Sequence, residues 1–159
     1  MPALSETQQK LLSIFLNCTT RTEAAPITLY RGAGVESATP SFPNGHWYEK
    51  DRSRAETYVK NGKFQGSKLK CLFVDTVISK HNLKLISLNQ SMFLLNQKLY
   101  PDLFFSDTYL LHKTLSQDVQ TIFKNTHFKE YDGIYMEKTG EYFIVDPAQS
   151  LSVLNTTIV

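Results

Sequence analysis

Three groups of side chains, far apart along the chain, have the types and settings that chemistry requires. Arg31 ends the apolar stretch Ile27-Thr28-Leu29-Tyr30 and is followed at once by Gly32-Ala33-Gly34. A guanidinium there can fork onto phosphate oxygens, and bare backbone at Gly32 lets a phosphate or sugar come close. The same arginine could equally serve in an ion pair at the rim of the core. Trp47 and Tyr48 stand just ahead of a helical pattern, where their faces could stack on a flat heteroaromatic ring or simply pack inward. Glu141 opens the last alternating stretch after a Lys138-Thr139-Gly140 turn, and by strand alternation it shares a face with Phe143 and Val145. A carboxylate on an inner face is costly unless it has a partner or a task.

Other chemistries find no carrier. The glycines at 32 and 34 lack the third member of a dinucleotide fingerprint, because position 37 is Ser. There is no Walker lysine, no nucleophile elbow and no zinc-protease motif. Cys18 and Cys71 have no second pair, and the four His are scattered, so neither a disulfide framework nor a metal site is expected. Both cysteines read as buried thiols of a reducing compartment.

The elements that must hold these residues follow from periodicity. Residues 5–17 read as a helix with Ser5 and Gln8 as a capping box, and residues 19–26 as a connector. Residues 27–31 read as a strand stopped by the glycines, residues 36–45 as an irregular loop, and 46–48 as a short strand. Asp51 caps a helix whose inward face is Ala55, Tyr58 and Val59, ending at Asn61-Gly62. Residues 69–78 and 83–88 read as strands, and 107–125 as a long amphipathic helix with Leu111, Leu115, Val119, Ile122 and Phe123 on one face. The run 92–105 reads as core rather than a cofactor contact. Asp132-Gly133 reads as a turn or strand entry. A hairpin, YDGIYM then EYFIVD, ends the pattern at Pro147. Strands and helices do not alternate regularly, so the expected class is α+β.

Composition sets the outer bounds. The 159 residues are enough for one domain, with residues 1–25 as an N-terminal helix and connector and 26–159 as the core. The formal net charge is +2, too balanced to point to a nucleic-acid or membrane-surface partner, and Lys60, Lys63, Lys68 and Lys70 read as a solvated rim. Apolar runs are too short for a membrane span and no secretory leader is evident, so work in a cytoplasm, its own or one it is delivered into, is the expectation, as a monomer. Aromatic residues make up 12%, in keeping with a β-rich core or a stacking surface.

Together, LYRGAG (29–34), GHWYEKDRSRAETYV (45–59) and YDGIYMEKTGEYFIVDP (131–147) resemble the motifs of the bacterial and phage mono-ADP-ribosyltransferases. The likeness spans residues 27–147, with a poorly matched middle from 89 to 128. It implies an ADP-ribosyltransferase-like split β-sandwich, with an N-terminal helix and one long helix before the terminal hairpin. It implies NAD as a consumed co-substrate, Glu141 as the catalytic carboxylate, and Arg31, Gly32, Trp47 and Tyr48 as the NAD-binding residues. It further implies that Arg31 and Glu141 meet across one cleft. A target protein is then the implied second partner, reached as a secreted effector or toxin.

The sequence departs from that family in two places. Trp47-Tyr48-Glu49 stands where its best-known toxins carry Ser-Thr-Ser. Thr139 stands where arginine-modifying members carry a second Glu. A guanidinium acceptor is protonated near neutral pH and benefits from a carboxylate to orient it. Thr139 cannot supply one, although Glu137 lies on the same turn. The acceptor expected is therefore a hydroxyl, amide or carboxylate rather than arginine. Hydrolysis of NAD by water, and a binding module that has kept only the pocket, are the alternatives.

Overall fold

A computed structural model describes residues 3–35, 46–60, 71–102 and 108–158. Helix α1 (Glu6–Leu16) starts on the expected capping box: Ser5 Oγ accepts from the Gln8 backbone while Gln8 Oε1 accepts from the Ser5 backbone. The strands are β1 (Thr19–Glu23), β2 (Thr28–Val35), β3 (His46–Glu49), β4 (Cys71–Ser79), β5 (Leu83–Leu88), β6 (Gly133–Met136), β7 (Glu141–Ile144) and β8 (Leu151–Ile158). The remaining α-helices are α2 (Arg52–Lys60), α3 (Met92–Leu99), α4 (Thr108–Asn125) and the single turn α5 (Pro147–Ser150). The class is α+β, as the irregular alternation implied.

Three expectations need correction. Residues 19–23 form a strand, not a connector, because they find an antiparallel partner in β5, with Arg21 opposite Leu85. The glycines at 32 and 34 do not stop β2, which runs through them paired to β4 as far as Val35 opposite Cys71. The chain does not finish with the hairpin: Asp146 caps a short turn and β8 then pairs with β4. The loop 36–45, the helix end at Asn61-Gly62 and the lysines at 63, 68 and 70 lie outside the described residues.

The eight strands form one sheet in the order β1-β5-β6-β7-β3-β2-β4-β8. Two short links show that it folds over on itself. Residues 24–27 join β1 to β2, and 80–82 join β4 to β5, each pair five places apart in the sheet. In a flat sheet those strands would lie about 24 Å apart at roughly 4.8 Å per strand. The links span at most about 18 and 14 Å when fully extended. The sheet therefore curls until β1 and β5 face β2 and β4. Ile27, Leu29, Tyr48, Val77, Leu83, Leu85, Tyr142, Ile144 and Leu151 fill the inside of the curl.

The other face carries the helices. Leu11, Ile14 and Phe15 of α1, Leu95 and Leu99 of α3, and Leu115, Val119, Ile122 and Phe123 of α4 pack on Ile86, Leu88, Ile134, Met136 and Phe143. α1 is thus part of the common core, and Gln8 Nε2 ties it to Asp118 of α4 at 3.1 Å. Helix α2 covers β2 farther along that face.

Candidate active site

The three motifs arrive on three neighbouring strands, β7, β3 and β2, in that order across the sheet. Glu141 stands directly opposite Glu49, and Glu49 directly opposite Tyr30. Residues directly opposite in an antiparallel pair point to the same side, and their Cβ atoms lie about 4.5–5.5 Å apart. Glu141, Glu49 and Tyr30 therefore form one row on the helix-bearing face. Trp47, two residues before Glu49 and opposite Phe143, lies on that face as well.

Both neighbouring helices reach this row. The Trp47 indole Nε1 donates to Ser116 Oγ of α4 at 2.7 Å, and its ring sits 5.2 Å from that of Phe143. Glu49 pairs with Arg54 of α2, Oε2 to Nε, at 3.0 Å. Arg54 Nη1 also donates to the carbonyl of Thr139 at 2.6 Å. β3 thus runs between α4 and α2, and Arg54 ties α2 to the turn from which Glu141 emerges. That turn depends on Gly140, at φ +75°, a left-handed conformation that disfavours a Cβ. Two carboxylates directly across a strand pair repel each other, and the Arg54 charge offsets that repulsion. α2 begins where expected, with Asp51 Oδ1 accepting from the Ser53 backbone at 2.9 Å. The Ser53 hydroxyl, which donates to the same oxygen, and then that backbone bond hold the Asp51 carboxyl below its ordinary range. Ala55 and Val59 are buried as expected; the Tyr58 side chain lies outside the described residues.

Arg31 goes elsewhere. It is opposite Asp75 on β4, one residue out of phase with Tyr30, so its side chain turns to the inside of the curl. There Nη1 lies 3.6 Å from Asp75 Oδ2. Asp75 is wholly buried and also accepts from Thr156 Oγ1 at 2.6 Å. Burial raises the affinity of the Asp75 carboxyl for its proton; the Thr156 hydrogen bond and the Arg31 charge act against that. Tyr48 points the same way and is fully buried. Its phenol is pushed well above the ordinary range, by burial first and by Asp75, with Arg31 opposing.

Three site expectations change accordingly. Tyr48 has no surface with which to stack on a ligand and is part of the core. Arg31 and Glu141 sit two strands apart but leave the sheet on opposite faces, so they do not line one cleft through their side chains. Gly32 faces α2: a Cβ there would lie 2.3 Å from the Ala55 carbonyl oxygen and 2.3 Å from Val59 Cγ2. Its missing side chain lets a helix, not a phosphate, approach the strand. Trp47 and Glu141 do come together on one face. Glu49 is the residue sequence reasoning passed over; its place at the Ser-Thr-Ser position, two residues from Trp47, was the available signal.

A separate hollow of about 560 Å³ is bordered by Lys84, Lys124, Lys129, Tyr131 and Asp132, and by none of Arg31, Trp47, Glu49 or Glu141. At its rim Asp132 accepts from Ser150 Oγ and the Lys84 backbone and pairs with His81 Nε2, each at 2.8 Å. The carboxylate, not the imidazole, is the middle member, so this is a strut joining β5, β6 and α5 rather than a nucleophilic triad. Cys18 is half-buried rather than buried as expected; it donates to the Ile14 carbonyl, and burial with nearby Glu137 pushes its thiol up, which disfavours the thiolate. Among the described residues no group of three His, Cys, Asp or Glu could hold a metal, and no helix is long and apolar enough to cross a membrane. Comparison with protein-family models, curated proteins and solved structures finds no match.

Proposed function

We propose that the chain is an NAD-consuming mono-ADP-ribosyltransferase whose reacting carboxylate is Glu141. One observation carries this reading: Glu141 and Glu49 stand opposite each other in register, beside Trp47, on strands contributed by motifs almost a hundred residues apart. A carboxylate held beside an anomeric carbon suits a reaction that passes through an oxocarbenium-like state. In that reaction the bond from ribose C1′ to the nicotinamide nitrogen breaks. Its electron pair leaves with nicotinamide as a neutral ring, so no acid is needed. The positive charge left on the ribose is met by the Glu141 carboxylate, which also accepts from a ribose hydroxyl more strongly as charge develops. Trp47 offers a wall for the flat ring. An acceptor side chain then attacks C1′; a hydroxyl or amide gives up its proton to solvent, and a carboxylate attacks already deprotonated.

The curled α+β sheet, with an N-terminal helix and a long helix ahead of the hairpin, supports the ADP-ribosyltransferase-like split sandwich that the motifs suggest. Arg31 enters through the position of β2, which its pairing with Asp75 fixes, rather than as a clamp beside Glu141. The test is to incubate the protein with NAD and a cell lysate and search the proteins for ADP-ribose adducts by mass spectrometry. Adducts on hydroxyl, amide or carboxylate side chains are expected. Nicotinamide release without adducts would replace transfer by hydrolysis. Neither product, in several lysates, would overturn the reading.

A further inference from the structure

The guanidinium beside the carboxylate pair belongs to the protein itself. Arg54 reaches from the first turn of α2, pairs with Glu49 Oε2 at 3.0 Å and donates from Nη1 to the Thr139 carbonyl at 2.6 Å. The same Nη1 lies 3.6 Å from where a Cβ on Gly140, the neighbour of Glu141, would stand. Half of the Arg54 side chain is exposed, so these polar contacts, more than packing, define its place. A guanidinium acceptor is protonated and is oriented best by a carboxylate, which matches its planar fork. The turn supplies none at Thr139. The carboxylate in register with Glu141 is Glu49, and its charge is already matched by Arg54.

We propose that Arg54 is a specificity-determining residue: its guanidinium occupies the place beside Glu141 that an arginine-like acceptor would require, and so reserves the site for neutral or anionic acceptors. The inference rests on the transferase reading above. Removing Arg54 would leave Glu49 to hold an incoming guanidinium. Transfer would then form a bond from the guanidinium nitrogen to C1′ as the bond to nicotinamide breaks, and the acceptor nitrogen would lose one proton to solvent by way of the Glu49 carboxylate.

Agmatine, a small guanidinium compound, is the probe. Wild type, Arg54→Ala and Arg54→Gln are each incubated with NAD and agmatine, and both nicotinamide and ADP-ribosyl-agmatine are measured. Gln keeps a donor for the Thr139 carbonyl, which guards against loss of the turn in the Ala variant. The expected result is nicotinamide from wild type with little agmatine adduct, and on the order of tenfold or more adduct per nicotinamide released from at least one variant. Wild type that modifies agmatine as readily as the variants overturns the proposal. So do variants that release nicotinamide without gaining adduct, in which case NAD cleavage stands and the lysate experiment above decides between transfer and hydrolysis. If both variants lose nicotinamide release, Arg54 is a strut of the turn and the specificity role is refuted. No nicotinamide from wild type overturns the reading and the inference together.

Discussion

Arg31 lies 3.6 Å from a carboxylate that has no contact with solvent, and the consequences differ sharply from those of a ligand clamp. Removing one member of a buried pair leaves the other charged and unmatched, at about 3–5 kcal/mol for full burial. Arg31 keeps a fifth of its side chain exposed, so Arg31→Ala should destabilise by about 2–3 kcal/mol in chemical denaturation. Adding Asp75→Asn should recover part of that loss. Calorimetry on the folded fraction should show NAD affinity little changed; a large loss of affinity with unchanged stability would restore the clamp. The sequence showed Arg31 at the edge of an apolar strand but not which way it faced. That depends on the pairing of β2 with β4, a non-local register that the residues around Arg31 do not encode. Glu141 was legible because it is the one charged residue between a turn and the apolar run Tyr142 to Val145. Trp47 and Tyr48, adjacent in sequence, were bound to part company, since successive strand residues point to opposite faces.

At the level of elements, the packing of α2 on β2 sets where Arg54 stands. It relies on Gly32: an added methyl would overlap the Ala55 carbonyl, which belongs to helix backbone and cannot rotate away. Gly32→Ala should therefore cost about 3 kcal/mol or more, at the upper end of overpacking effects. It should also shift α2 enough to lower nicotinamide release in the variant that remains folded. Denaturation and release assays check both; near-native values in each would contradict the packing argument. A bare backbone serves a close helix and a close phosphate equally well, so the sequence alone could not choose between them. Helix α1 was readable from its capping box and α4 from its apolar stripe. Strands β1 and β8 were not: both lie at sheet edges with mostly exposed side chains, so neither carries the apolar alternation that marks a half-buried strand.

Over the whole molecule, the curl of the sheet is closed by contacts from its first strand. The Tyr142 hydroxyl of β7 donates to Glu23 Oε1 of β1 at 3.0 Å, and Arg21 pairs with the same oxygen while lying 4.1 Å from the Tyr135 ring. Burial works to raise the Glu23 carboxyl, but the hydrogen bonds from Arg21 and Tyr142 and the charges of Arg21 and Lys50 carry it below its ordinary range. Because the folded value is depressed, the folded state holds fewer protons than the unfolded chain there. This contribution is present above the unfolded carboxyl range, near pH 4.3, and fades as pH falls through the folded value. Glu23→Gln should lose about 1 kcal/mol at pH 7, and the gap to wild type should narrow below about pH 4. A gap independent of pH would contradict the assignment.

The claim on which the functional account depends is that Glu141 meets the positive charge of a breaking ribose bond. Its most direct test is the rate at which purified protein releases nicotinamide from NAD, compared between wild type and Glu141→Gln at equal folded concentration. The near-isosteric change removes the charge while leaving the strand intact, and the loss of one preorganised stabilising group corresponds to about 10²–10³ in rate. The account predicts a loss of that size with unchanged denaturation. Equal release by the two proteins, or none by wild type, would contradict it.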